Sequence, residues 1–337
     1  MRALVVHEFG PLGSHKVEEV PAPKSGPNDV LIDVHAIGLN FPDTLMLQGK
    51  YQKRPDRPFV PGRDLAGVVR SVGSDVTRCK PGDRVVAQVF TGGFAQSVAA
   101  PEKRCFPLPE AVSFEEAAGM ITVFNTAWVA IELRAGIQAG ETVMVTGAAG
   151  GVGLAAVQLC KARGVTVLAA VSSPEKGELA LANGADHVID TNATDLDALK
   201  RHLRAQVEAA TGAKNGNGCN AVIDMVGGDL FEAGLRVLAF GGRLIVVGFA
   251  GGTVPAAKAN YLLYNNIGVL GAPLDIQFEH AYADMERGVA ETLRLASEGK
   301  VRANITARYP LDEIVPALQT FTDRKMKGKI VVTTGRE

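Results

Sequence analysis

Cysteine is scarce in this chain. Only Cys79, Cys105, Cys160 and Cys219 occur in 337 residues, widely spaced. That argues against a disulfide framework and for a reducing compartment, so the expected location is cytoplasmic. Long apolar runs are missing too. None approaches the ~20 residues that cross a bilayer, and the apolar part of MRALVVHEFG is too short for a signal-peptide core. No membrane partner is expected. Nor does one sign of charge dominate: Lys plus Arg number 35 and Asp plus Glu 36, for a net charge of −1. The strongly basic balance of a nucleic-acid binder is therefore absent. The six histidines are scattered without the paired spacing of a metal site.

What is present has a clear order. The length suits about two domains. Short β runs recur at 3–6, 30–39, 66–72, 84–89 and 94–100, with turn formers such as Pro61-Gly62 and Pro81-Gly82-Asp83 between them. Residues 1–122 thus read as a β-rich barrel or sandwich. Ser113 with Glu116 three residues on predicts a capped helix start, and the helical pattern runs over 113–134. From about residue 141 strand and helix alternate, with strands at 142–146, 165–171, 186–189, 221–225, 243–248 and 267–271. This is the pattern of a doubly wound parallel α/β sheet. A long helix is expected over 280–299. Two β runs, 301–309 and 329–334, flank a helix at 311–323 and could return to the first domain and complete its sheet.

The stretch Thr142–Gly164, TVMVTGAAGGVGLAAVQLCKARG, organises the second half. A β-branched run leads into a small-residue turn and then an apolar, strongly helical run. The dinucleotide fingerprint G-x-G-x-x-G appears as Ala148-x-Gly150-x-x-Gly153. A turn without side chains lets a pyrophosphate approach the backbone, and the helix N-terminus favours its charge. The next strand, 165–171, has no carboxylate at its end to take a ribose 2′-hydroxyl. Ser172, Ser173 and Lys176 follow instead, and two hydroxyls with an ammonium suit a 2′-phosphate. The same serines also read as a cap on the following helix.

GLNFPDTLMLQGKY (38–51), FVPGRDLAGVV (59–69), PGDRVVA (81–87), GGFAQ (92–96), TGAAGGVGLAAVQL (146–159), GADHVID (184–190), VIDMVGG (222–228) and GGRLIVVG (241–248) together resemble the blocks of the medium-chain dehydrogenase/reductase superfamily. Within it the chain looks most like the zinc-free quinone oxidoreductases of the zeta-crystallin type. The resemblance implies a GroES-like substrate domain over 1–122 and 272–337, and a Rossmann dinucleotide-binding domain over 123–271. Zinc-dependent relatives carry Cys at the place of Asn40 and His-Glu at the places of Arg63 and Asp64. Those replacements remove a thiolate and an imidazole, so no metal is expected.

The resemblance further implies NADPH as cofactor, with Ser172, Ser173 and Lys176 on its 2′-phosphate. Ala148, Gly150, Gly151, Val152 and Gly153 take the pyrophosphate turn. Thr126, Val226, Gly248 and Phe249 line the nicotinamide side. Phe249 also reads as core packing. From the first domain the implied catalytic residues are Asn40, Asp43 and Tyr51. Conjugate reduction leaves an enolate, to which a phenol such as Tyr51 could deliver a proton. Tyr51 also reads as a surface-turn aromatic, and Arg63 as either an anion binder or a partner of Asp64 or Asp43. The expected activity is hydride transfer to a quinone or an α,β-unsaturated carbonyl compound. The alternatives are a 2-enoyl thioester reductase, resting on Gln48-Gly49-Lys50-Tyr51, and a non-catalytic nucleotide- or RNA-binding protein. The β run 267–271 is an expected edge strand, through which relatives form homodimers.

Overall fold

The computed structural model describes residues 1–322 and 327–336. Two compact units are formed, Met1–Thr122 with Val289–Glu337, and Val123–Gly288. No helix among the described residues is long and apolar enough to cross a membrane.

In chain order the first unit begins with β1 (Arg2–Val5), β2 (Lys16–Glu19), β3 (Asp29–Gly38), the short helix α1 (Phe41–Leu47), β4 (Asp64–Val72), β5 (Arg84–Gln88), β6 (Ser97–Pro101) and β7 (Cys105–Pro107). Helix α2 (Phe114–Trp128) then carries the chain across the division and continues as a π-helical stretch, Val129–Ala135. The Ser113 hydroxyl accepts from Glu116 N as a capping box requires, but the Glu116 carboxylate accepts from Ala303 N.

The second unit contains β8 (Thr142–Thr146), α3 (Gly151–Ala162), β9 (Thr166–Val171), α4 (Pro174–Leu181), β10 (His187–Asp190), α5 (Leu196–Thr211), β11 (Cys219–Asp224), α6 (Gly228–Leu235), β12 (Leu238–Val246), α7 (Ala259–Asn265), β13 (Gly268–Gly271) and α8 (Leu274–His280). Helix α9 (Tyr282–Ser297) returns the chain to the first unit, followed by β14 (Ile305–Pro310), α10 (Ile314–Thr322) and β15 (Lys329–Thr333). The second division thus falls at Gly288, later than the expected residue 271. At Gly288 an added Cβ would lie 2.6 Å from the Trp128 ring, so the first part of α9 is packed into the second unit. Residue 323, the end of the expected helix 311–323, lies outside the described residues.

Six parallel strands form the second unit's sheet in the order β10-β9-β8-β11-β12-β13. Buried strands such as Val143–Val145 and Ala221–Ile223 are apolar on both faces, as helices on both sides demand. Chain order reverses between β8 and β11, and the crevice at that switch point is where such sheets take ligands. In the first unit the order is β14-β15-β3-β4-β5-β7, with β6 also on β3. β15 pairs antiparallel with β3, Val331 opposite Gly38, so the C-terminal run does complete the first sheet.

Candidate functional site

The glycine-rich turn is built by close approach. β8 ends at Thr146, and Gly147 turns the chain at φ +61°, a conformation that favours glycine. A Cβ on Gly153 would lie 2.2 Å from Gly147 O and 2.7 Å from Ala148 Cα, so α3 can sit on the turn only with glycine there. At Gly150 an added Cβ would meet nothing nearer than Gly147 O at 3.4 Å. Gly150 is the N-cap of α3 and brings no side-chain cap. The first N–H groups of a twelve-residue helix therefore face a turn of glycine and alanine with no polar side chain. That cradle fits a pyrophosphate.

The next turn clusters polar groups. Ser173 caps α4, its hydroxyl accepting from Lys176 N at 3.4 Å, while Lys176 Nζ donates to Ser172 Oγ at 3.1 Å on the exposed side. The cap and the groups expected to meet a 2′-phosphate thus share one turn. Asn192, which the sequence reading passed over, donates to Ser172 O at 3.1 Å and to Asp190 Oδ1 at 2.7 Å. Thr191 donates from its hydroxyl to Val171 O.

Val226, Gly248 and Phe249 follow the ends of β11 and β12. Phe249 is 38 % exposed, so it is not core; its ring lies against Gly227. Beneath them Asp224 and Thr146 are fully buried and hydrogen-bonded at 2.6 Å. Thr126 is half-buried on α2.

In the first unit the sheet register collects the other site residues. Gly38, Asp64 and Gln88 face one another across β3, β4 and β5, with Val331 of β15 on the far side of Gly38. Asn40 lies two residues past Gly38 and Lys329 two before Val331. A Cβ on Gly38 would lie 2.0 Å from Ala118 O, so α2 packs on the strand and Thr122, one turn later, reaches Asp64. The result is a buried network. Lys329 Nζ donates to Leu39 O at 2.7 Å and Asn40 Oδ1 at 2.9 Å. Asn40 Nδ2 donates to Asp64 Oδ2 at 2.8 Å, and the Thr122 hydroxyl donates to Asp64 Oδ1 at 2.5 Å. Gln88 donates in turn to Thr122 Oγ1.

Asp43 belongs to this network as well. Its Oδ2 accepts from Asn40 N at 2.8 Å, capping α1, while Oδ1 has no partner among the described residues. Burial and the neighbouring Asp64 raise its pKa to about 7, opposed by the Asn40 N–H, Arg63 and Lys329. Burial also pushes Asp64 up and Lys329 down, against their mutual attraction. Both Asp64 oxygens are bonded and one Asp43 oxygen is not, so the pair's more firmly held proton belongs on Asp43. Arg63, 5 % exposed, donates from Nη1 to the half-buried Tyr51 hydroxyl at 3.2 Å. Its charge still favours ionisation of both carboxyls.

A metal does not fit here. Among the described residues no three His, Cys, Asp or Glu side chains converge to hold one. The Asn40 amide is already engaged at both ends. Sequence reasoning missed Lys329, Asn192 and Thr146; it placed Asp224 with Met225 and Val226 in the turn after one strand, on the nicotinamide side, without its buried partner. Lys329 carried no local signal at all, because only pairing of β15 with β3 brings it to Asn40.

The chain matches two family models, "Alcohol dehydrogenase GroES-like domain" over residues 26–110 and "Zinc-binding dehydrogenase" over residues 151–285. It is 37 % identical over 319 residues to the Bos taurus quinone oxidoreductase-like protein 2, spanning 94 % of this chain and 88 % of that one. Identity to the Mus musculus quinone oxidoreductase is 33 % over 342 residues, 98 % of this chain and 97 % of that one. Among solved structures, the Escherichia coli quinone oxidoreductase complexed with NADPH superposes with a TM-score of 0.88 at 27 % identity, covering 99 % of this chain and all of that one. The chain belongs to the quinone oxidoreductase family of the medium-chain dehydrogenase/reductase superfamily.

Proposed function

We propose that the protein is an NADPH-dependent, metal-independent oxidoreductase that reduces quinones or other activated α,β-unsaturated carbonyl compounds. The observation that carries this reading is the Asn40 amide, locked between Lys329 and Asp64 where a metal ligand would have to stand. NADPH when bound supplies the hydride. Gly150, Gly151, Val152 and Gly153 hold its pyrophosphate with backbone N–H groups, beside Ala148. Ser172, Ser173 and Lys176 take the 2′-phosphate, and Thr126, Val226, Gly248 and Phe249 border the nicotinamide end. Asn40, its amide oriented by Lys329, has a second N–H to offer a carbonyl oxygen. Asp43 keeps α1 and Asn40 in place.

A second reading, reduction of a 2-enoyl thioester, is favoured by one contact. Arg63 donates to the Tyr51 hydroxyl, and a guanidinium there stabilises the phenolate left when Tyr51 protonates an enolate carbon. A quinone gives a stabilised anion that water can protonate. Steady-state turnover of Tyr51→Phe with a quinone and with crotonyl-CoA separates the two. Loss confined to the thioester supports Tyr51 as its proton donor, and absence of thioester turnover in the unsubstituted protein removes the second reading.

The proposed partner is a second copy of the chain, docked on the β13 edge. Phe240, Leu263 and Tyr264 are 86 %, 85 % and 90 % exposed beside that edge, and Gly241 N donates to Asn266 O to join their segments. Light scattering that reports only monomer overturns this part.

A further inference from the structure

We infer that Asp224 is a positioning residue for the cofactor, setting three turns of the second unit in register with one another. The inference rests on the NADPH reading above. Asp224 ends β11, at the switch point of the sheet. Its carboxylate is fully buried and meets three internal donors: the Thr146 hydroxyl at 2.6 Å, Val226 N at 3.0 Å and Gly227 N at 3.2 Å. No cation pairs with it among the described residues. Its main-chain oxygen accepts from Val247 N at 2.8 Å and Gly248 N at 3.4 Å. One residue thus ties the ends of β8, β11 and β12, the first two of which flank the switch point.

Thr146 is the link on the fingerprint side. Its hydroxyl donates to Asp224 and accepts from Met225 N at 3.1 Å. Gly147, the next residue, turns the chain at φ +61°, and a Cβ there would lie 3.2 Å from Val226 Cγ2. The glycine-rich turn and the turn after β11 are therefore in contact, and the buried pair fixes their separation. A cofactor must be gripped by both turns at once, so an error in that separation weakens the grip without touching any contacting group. The turn after β9, with Ser172 and Lys176, has no bond to Asp224 in this arrangement.

The test uses two near-isosteric variants of the full chain. Thr146→Val cuts the tie between the turns, and Asp224→Asn removes the charge and, since both carboxylate oxygens accept from Gly227 N, turns an NH2 donor toward that N–H in either orientation. Affinities are measured for NADPH and for adenosine 2′-monophosphate, which reports the β9 turn alone. NADPH affinity is expected to fall about tenfold in each variant, and adenosine 2′-monophosphate affinity to change less than about twofold. If Asp224→Asn does not fold, Thr146→Val carries the test. Equal losses for both ligands, the outcome of a merely structural role, or no loss for either, overturn the inference. Failure of the unsubstituted protein to bind NADPH overturns the cofactor reading and the inference with it.

Discussion

The two units handle charge in opposite ways. In the proposed function the second takes an anion on backbone: the N–H groups of α3, a turn of glycine and alanine, and hydroxyls near Lys176. The first buries ionisable side chains, with Asp43, Asp64, Lys329 and Arg63 all under 6 % exposed. A backbone site is tolerant of its surroundings but intolerant of a Cβ where the backbone approaches closely, as at Gly153. A buried ionic site is intolerant of losing any one partner, because the remaining charge stays out of water.

That contrast sets the scale of the expected effects. Lys329→Met leaves two buried carboxyls with Arg63 alone, and urea unfolding should show a loss of about 3–5 kcal/mol. Little change would mean that the carboxyls simply take up protons. Gly153→Ala forces a methyl against Gly147 O, and NADPH titration should show affinity falling by roughly a hundredfold. Gly150→Ala, with open space around it, should cost only a few-fold.

The third effect depends on pH. Asp43 titrates near 7 in the folded chain, against an ordinary value of 3.8. The folded state therefore holds this proton more tightly than the unfolded state. The contribution to stability is full below about pH 4 and is lost as pH rises through 7. Asp43→Asn removes that loss. Its stability relative to the unsubstituted protein should rise by on the order of 2 kcal/mol between pH 5 and 7 in denaturant melts. A flat difference would place the proton elsewhere. Lys176→Ala should weaken NADPH by about tenfold and leave NADH unchanged, measured side by side.

The same contrast decides what could be read in the sequence. The backbone turn is local, so spacing shows it: Gly150 and Gly153 announce it, and the proposed phosphate contacts Ser172, Ser173 and Lys176 follow within one β-α step. Asp64 and Asn40 were legible only through resemblance. Lys329 stands 289 residues from Asn40 in the chain, and a lysine opening a short terminal strand looks like any solvated residue. Asp224 stood out only as part of the turn after its strand, and Thr146 reads as a strand end until the sheet order brings β8 beside β11. The late division at Gly288 was equally invisible, because helix α9 runs through it without a break in pattern.

The most direct measurement is NADPH oxidation by the purified protein in the presence of EDTA, with para-quinones and α,β-unsaturated ketones as acceptors. The account predicts turnover that chelation does not reduce and added zinc does not raise. Failure to oxidise NADPH with any of these acceptors, or activity that disappears with chelation and returns with zinc, would contradict it.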